Sequence, residues 1–229
     1  MLHKSLTKAN PVQTARLRCR RKFLHYFPNG FVDLKYRAWE RGYKEEAHLA
    51  FQQQLNIHEY QRLLKQGEYQ HIAFTVIRIE AKTNLLFSFE KMALRDAVRS
   101  IDAAKTFAIG LFNYIYGAES IQQRFITFSE IIGSLPRKQT RVLTWPLQTV
   151  FGFLANPKEH FFLKPRVTQL AADKYKYDLN YKSKPNWETY QNVLSFAKQI
   201  RQDNADLKPK DNIDLQSFIW VMGSDEYPD

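Results

Sequence analysis

HIAFTVIRIEAKTNLLFSFEKMALRDA, residues 71–97, decides between a helical and a mixed fold. Its first nine residues are rich in β-branched side chains and alternate well enough for a strand. The pattern does not stop at strand length. Ile72, Val76 and Ile79, then Leu86, Phe89, Ala93 and Ala97, recur at three- and four-residue steps, and no Gly or Pro interrupts Glu68–Ile109. A period near 3.6 sustained this far predicts one long amphipathic helix.

The rest of the chain follows the same grammar. RLRCRRKFLHYF (16–27) predicts a short basic helix that the Pro28-Asn29-Gly30 turn stops. Asp33 is placed to cap a helix through YRAWERGYKEEAHLAFQQQL (36–55), which Gly42 weakens by about 1 kcal/mol without ending it. Asp102 is the expected cap of AAKTFAIGLFNYIY (103–116). IQQRFITFSEII (121–132) closes at Gly133 and Pro136. Trp145-Pro146 predicts a break or kink within residues 137–155. RVTQLAADKYKY (166–177) opens another helix, and WETYQNVLSFAKQI (187–200) follows Pro185-Asn186. Asp211 or Asp214 then caps LQSFIWVMG (215–223), whose apolar residues should dock on the core. The sum is an all-α, compact multi-helix bundle of about eight helices. It forms a single domain, residues 28–229, preceded by a basic N-terminal arm, residues 1–27.

Hydrophobic residues at 44% and charged residues at 25% are the balance of a folded globular chain. Cys19 is the one cysteine, so an intrachain disulfide is excluded, which fits a reducing, cytoplasmic setting. No apolar run approaches the roughly 18–20 residues of a membrane span, and no membrane partner is expected. The first thirty residues lack the apolar core of a secretory signal.

Charge is distributed unevenly. Of the net +11, residues 1–44 carry a surplus of nine, with eleven Lys/Arg against Asp33 and Glu40. From Asp203 onward acids dominate. A clustered basic segment attracts polyanions by releasing their counterions. The bland alternatives are solubility, or docking on the acidic stretch of a neighbouring chain.

Four constellations carry candidate chemistry. Glu80-Ala81-Lys82 matches the Glu-x-Lys pair that Mg²⁺-dependent nucleases place at the end of a core strand, the carboxylate holding metal and the lysine orienting water. It needs a further acid on a neighbouring strand, and Glu59 and Glu68 have no evident strand to hold them. Glu45-x-x-His48 has the spacing of carboxylate-bridged metal bundles but no second copy. PRKQTR, with Arg137, Lys138 and Arg141, makes a phosphate site if Pro136 opens a helix; His160, Lys164 and Arg166 lie in a neighbouring basic run. DKYKYDLNYKSKPNWETY (173–190) interleaves Tyr175, Tyr177, Tyr181 and Trp187 with Lys174, Lys176, Lys182 and Lys184, as a surface for base stacking and phosphate contact does. The same composition also describes a helix end with rings packed inward. No Gly-rich phosphate loop, Cys/His zinc set or Gly-x-Ser-x-Gly nucleophile is present, so no metal or cofactor is expected.

HFFLKP (160–165), NWETY (186–190) and DLQSFIWV (214–221), with TRVLTWP (140–146) before them, resemble a family of conserved hypothetical bacterial proteins over much of 20–227. The resemblance implies a bacterial cytoplasmic protein and transfers no activity or site.

The expectation is therefore a non-catalytic, nucleic-acid-binding helical protein. Its contact surface comprises Arg16, Arg18, Arg20, Arg21 and Lys22 of the arm, Arg137, Lys138 and Arg141, and the Tyr/Lys stretch. The alternatives are a nuclease using Glu80 and Lys82, and an interaction subunit that meets an acidic protein partner or a second copy of itself.

Overall fold

The computed structural model describes residues 10–229. Every regular element among them is helical, and the helices number eleven rather than about eight. They are α1 Pro11–Tyr26, α2 over 34–55, α3 Ile57–Lys65, α4 Tyr69–Ala81, α5 Ser88–Ala97, α6 Ile101–Tyr116, α7 Ile121–Ser134, α8 Trp145–Ala155, α9 Pro165–Tyr175, α10 Trp187–Asp203 and α11 Asn212–Gly223.

The stretch 71–97 is helical, but it is two helices. The expected single helix fails at 82–87, where polar side chains give the backbone a better alternative. The Glu80 carboxylate accepts from Thr83 Oγ1 at 3.1 Å and from the Leu86 amide at 3.2 Å. Lys91 Nζ donates to the Thr83 carbonyl at 2.9 Å, and the Phe87 amide donates to Glu90 at 2.9 Å. The strap resets the helical register. Ile72, Val76, Ile79, Leu86 and Ala97 are buried as the spacing requires, yet Phe89 is exposed and Ala93 only half-buried, and Leu94 faces the core instead.

Local signals explain most other boundaries. Asp33 caps α2 by accepting from the Lys35 and Tyr36 amides. Within α2, residues Arg37–Arg41 form a wide π-turn, and Gly42 donates its amide to the Arg37 carbonyl. A Cβ at Gly42 would lie 2.9 Å from that oxygen, so glycine suits the close approach. Ser100, not Asp102, caps α6 through the Ala103 amide. Trp145-Pro146 does not break a helix. It begins α8, with Thr144 as cap and Pro146 in the first turn, where a missing amide costs nothing. Of the two candidates, Asp211 caps α11.

Helix α11 is the central strut, buried on nearly every face. It packs most extensively on α9 and also meets α1 and α10. A Cβ at Gly223 would lie 2.1 Å from the Val167 carbonyl, so this crossing admits no side chain.

The expected N-terminal arm is not an arm over its described part. Residues 1–9 lie outside the described residues, and α1 is docked on α9 and α11. Cys19, Phe23 and Phe27 belong to the same core as Phe218 of α11, whose ring lies 4.9 Å from that of Phe23. The acidic stretch expected to meet a neighbouring chain meets α1 instead: Arg16 pairs with Asp203 at 3.2 Å, and Arg20 binds Asp206.

Among the described residues, no helix is long and apolar enough to cross a membrane.

Candidate nucleic-acid interface

Helix α1 turns one face away from the core. Arg18, Arg21, Lys22 and His25 recur along it at helical spacing. Opposite stands the C-terminal end of α9, with Lys174 in its last turn and Lys176 just beyond, the latter in the left-handed conformation (φ 55°) that ends the helix. Between them lies a cleft of about 790 Å³, floored by Cys19 and Met222 and closed by Tyr26, Pro228 and Asp229. Two basic segments some 150 residues apart in sequence thus face one hollow. Five Lys/Arg side chains line it against a single carboxylate, Asp229.

That carboxylate accepts from Lys22 Nζ at 2.6 Å and from Lys174 Nζ at 2.9 Å. The two hydrogen bonds, Lys22 first, hold the Asp229 pKa below its ordinary value. Burial pushes the Cys19 thiol up to about 11, against the opposing fields of Lys174 and Lys22.

Lys176 also borders a second, polar hollow of about 580 Å³ with Tyr177, Asn180 and Tyr181. Beyond it Tyr181 lies beside Trp145, ring centroids 6.3 Å apart, and feels the charge of Arg141. Lys176 is the residue that lines both hollows.

The remaining sequence candidates are dispersed. Arg16 and Arg20 are held by Asp203 and Asp206 and lie outside the cleft lining. Tyr175 is fully buried, edge-on to Phe196 with its hydroxyl donating to Asp203 at 2.6 Å, so it offers no face to a base. Tyr177 stacks on Phe196 and Trp187 packs beside Phe125, both half-buried. Lys182 pairs with Glu188 at 2.6 Å, and Lys184 is exposed away from both hollows. Pro136 opens no helix, because α7 has ended at Ser134. Arg137 and Lys138 sit on the connection that follows, Arg137 turned to the Gln139 carbonyl and Lys138 facing Asp96 at 3.7 Å. His25, Asn180 and Asp229 are the residues that sequence missed. Only His25 had a signal, its place seven residues after Arg18.

The nuclease pair does not assemble. Glu80 is on a helix, committed to the strap and facing Lys91 at 3.5 Å, while Lys82 points to solvent. Burial raises the Glu80 pKa against the field of Lys91. No strand exists among the described residues to carry such a site, and no three His, Cys, Asp or Glu side chains there are grouped to hold a metal ion. Glu45 is bound to Arg41, and His48 Nδ1 contacts the Leu154 carbonyl at 2.8 Å. Lys164 donates to the Leu85 carbonyl, and Arg166 pairs with Asp225.

A second charged cluster lies inside. Arg41 binds Asp211, Asp214 and Glu45. Lys44, 1% exposed, donates to Glu40 at 3.2 Å and to Ser217 at 2.9 Å. Tyr36 donates to Asp214 and Tyr227 to Glu40, each at 2.6 Å. Burial works against the Arg41 charge, but the hydrogen bond to Asp211 and the field of Asp214 outweigh it and raise its pKa. For Lys44 burial prevails over Glu40 and lowers the pKa. The network joins the π-turn of α2 to α11, and at its edge Asp211 borders a further hollow of about 420 Å³.

No family model, no curated protein and no solved structure matches this chain.

Proposed function

We propose that the protein binds nucleic acid, without catalysing a reaction on it, through the basic cleft between α1 and α9. The observation that carries this reading is the convergence of Arg18, Arg21 and Lys22 with Lys174 and Lys176 on one hollow. A buried charge must be paired; a solvated cleft with five cations and one carboxylate draws a polyanion. The concave shape suits a single strand, whose phosphates track the cations, better than a duplex, which calls for a protruding element to enter a groove. Tyr177 and Tyr181, half-exposed along the second hollow, are the aromatic surfaces on which a base would rest. Arg141, exposed and close enough for its charge to reach Tyr181, adds a further cation beside the second hollow. A cytoplasmic location is part of the proposal, motivated by the lone cysteine.

The test is fluorescence anisotropy with labelled oligothymidine, oligouridine and a short duplex across a salt series, with and without Mg²⁺. The expected result is single-strand affinity that falls steeply with salt while the oligonucleotide stays intact. Absence of affinity for all three at low salt overturns the reading. Cleavage that requires Mg²⁺ overturns its non-catalytic part.

A further inference from the structure

The cleft already holds an anion of the protein's own. Asp229 receives Lys22 Nζ on Oδ1 at 2.6 Å and Lys174 Nζ on both oxygens at 2.9 Å. Two ammonium groups brought from α1 and α9 to one pair of oxygens make a geometry that a phosphodiester also satisfies, since it too presents two charged non-bridging oxygens. The segment bearing Asp229 is held at two successive residues and exposed at the third. Tyr227 is buried and hydrogen-bonded to Glu40, and the Pro228 carbonyl accepts from Tyr26 at 2.7 Å. The Asp229 side chain itself is 70% exposed. Its ion pairs are therefore of the kind that solvent and competing anions replace readily.

We propose that Lys22 and Lys174 form a phosphate subsite, occupied in the free protein by the Asp229 carboxylate and taken over by a backbone phosphate of the bound strand. The proposal rests on the nucleic-acid reading above and adds a competitor to it. Tyr227 anchors the segment, so Asp229 swings out without undocking its neighbours and returns when the strand leaves. The internal carboxylate also acts as a counterion already in place. With Asp229 between them, Lys22 and Lys174 neutralise less of the strand's charge, so fewer of its condensed cations are released and the salt dependence of the native chain is shallower than its cation count suggests.

Oligothymidine binding is compared across a salt series for the native chain, Asp229→Asn and Asp206→Asn. The last removes the same unit charge beside Arg20, outside the cleft, and thereby controls for net charge. Thermal melting of each variant verifies that it is folded. Asp229→Asn is expected to bind about five- to tenfold tighter at low salt, with the log–log salt slope steeper by about 0.7, the value for one single-strand phosphate. Asp206→Asn is expected to change affinity by less than about twofold. Equal behaviour of the two variants, with the native chain binding normally, overturns the subsite and leaves the nucleic-acid reading standing. If native and variant chains alike fail to bind, the nucleic-acid reading itself falls, and the subsite with it.

Discussion

The buried network around Arg41 and Lys44 and the cleft around Lys22 and Lys174 use the same side chains under opposite rules. Inside, Arg41 meets three carboxylates, and Lys44 has a carboxylate and a hydroxyl. At the cleft, five cations share one carboxylate. Low dielectric enforces the first pattern, because an unpaired buried charge is too costly to keep. Water permits the second, so the surplus there is free to serve a ligand. The difference teaches that charge number alone says little about function. Whether each charge is paired where it sits does.

The comparison breaks most visibly in the interior. Asp214→Ala leaves the Tyr36 hydroxyl and one side of Arg41 without their partner, and unfolding in urea should show a loss of about 3–5 kcal/mol. A loss under about 1 kcal/mol would mean that the interior tolerates imbalance as the surface does.

Next in size is a pH effect. His160 is fully buried, with Arg124 nearby, and burial first and that charge second lower its pKa to about 3. Nε2 lies 3.4 Å from a Glu159 oxygen in a geometry that makes no hydrogen bond. The unfolded chain takes up a proton near pH 6.5 and the folded chain does not until about 3. Stability is therefore full above pH 6.5 and falls below it by about 1.4 kcal/mol per pH unit. Denaturation at pH 6.5 and 5.0 should show about 2 kcal/mol of loss that His160→Phe removes. A slope that survives the substitution would assign it to other groups.

At the cleft the signs reverse. Arg18→Glu with Arg21→Glu should leave the urea midpoint within about 0.5 kcal/mol of native while weakening oligothymidine binding at least about tenfold. A folding defect of interior size would show that these cations are structural. The smallest effect belongs to the boundary between the regions. Asp206→Ala removes the surface pair with Arg20, leaves Arg20 bonded to the buried Asn204 Oδ1, and should cost only about 0.5 kcal/mol, screened further by salt; a salt-independent loss would assign it to packing instead.

Helix type was legible in residues 71–97 because period 3.6 outlasts strand length. The break at 82–87 was not, because it depends on Glu80 and Glu90 bonding to backbone amides, a competition that hydrophobic spacing does not encode. The extra helices arise from such short-range events. At the candidate site, the basic character of α1 was evident from composition, but its docking was not. That docking rests on Phe23 meeting Phe218 and Phe27 meeting Tyr227, partners from the other end of the chain. Tyr175 shows the converse limit. Its neighbours Lys174 and Lys176 do line the cleft, while the ring between them points inward, because successive helical positions turn by about 100° and Lys176 leaves the helix in the left-handed conformation.

The floor of the cleft makes the molecule its own reporter. Cys19 is the one thiol in the chain, and burial holds its pKa near 11 against the opposing charges of Lys174 and Lys22. At neutral pH only about one molecule in ten thousand carries the nucleophilic thiolate, whereas a solvated cysteine ionises a hundredfold more readily. Alkylating reagents therefore meet an inert protein while α1 is seated and a reactive one whenever it lifts. The rate of iodoacetamide labelling becomes a clock for that lifting, read at a single atom without any engineered probe.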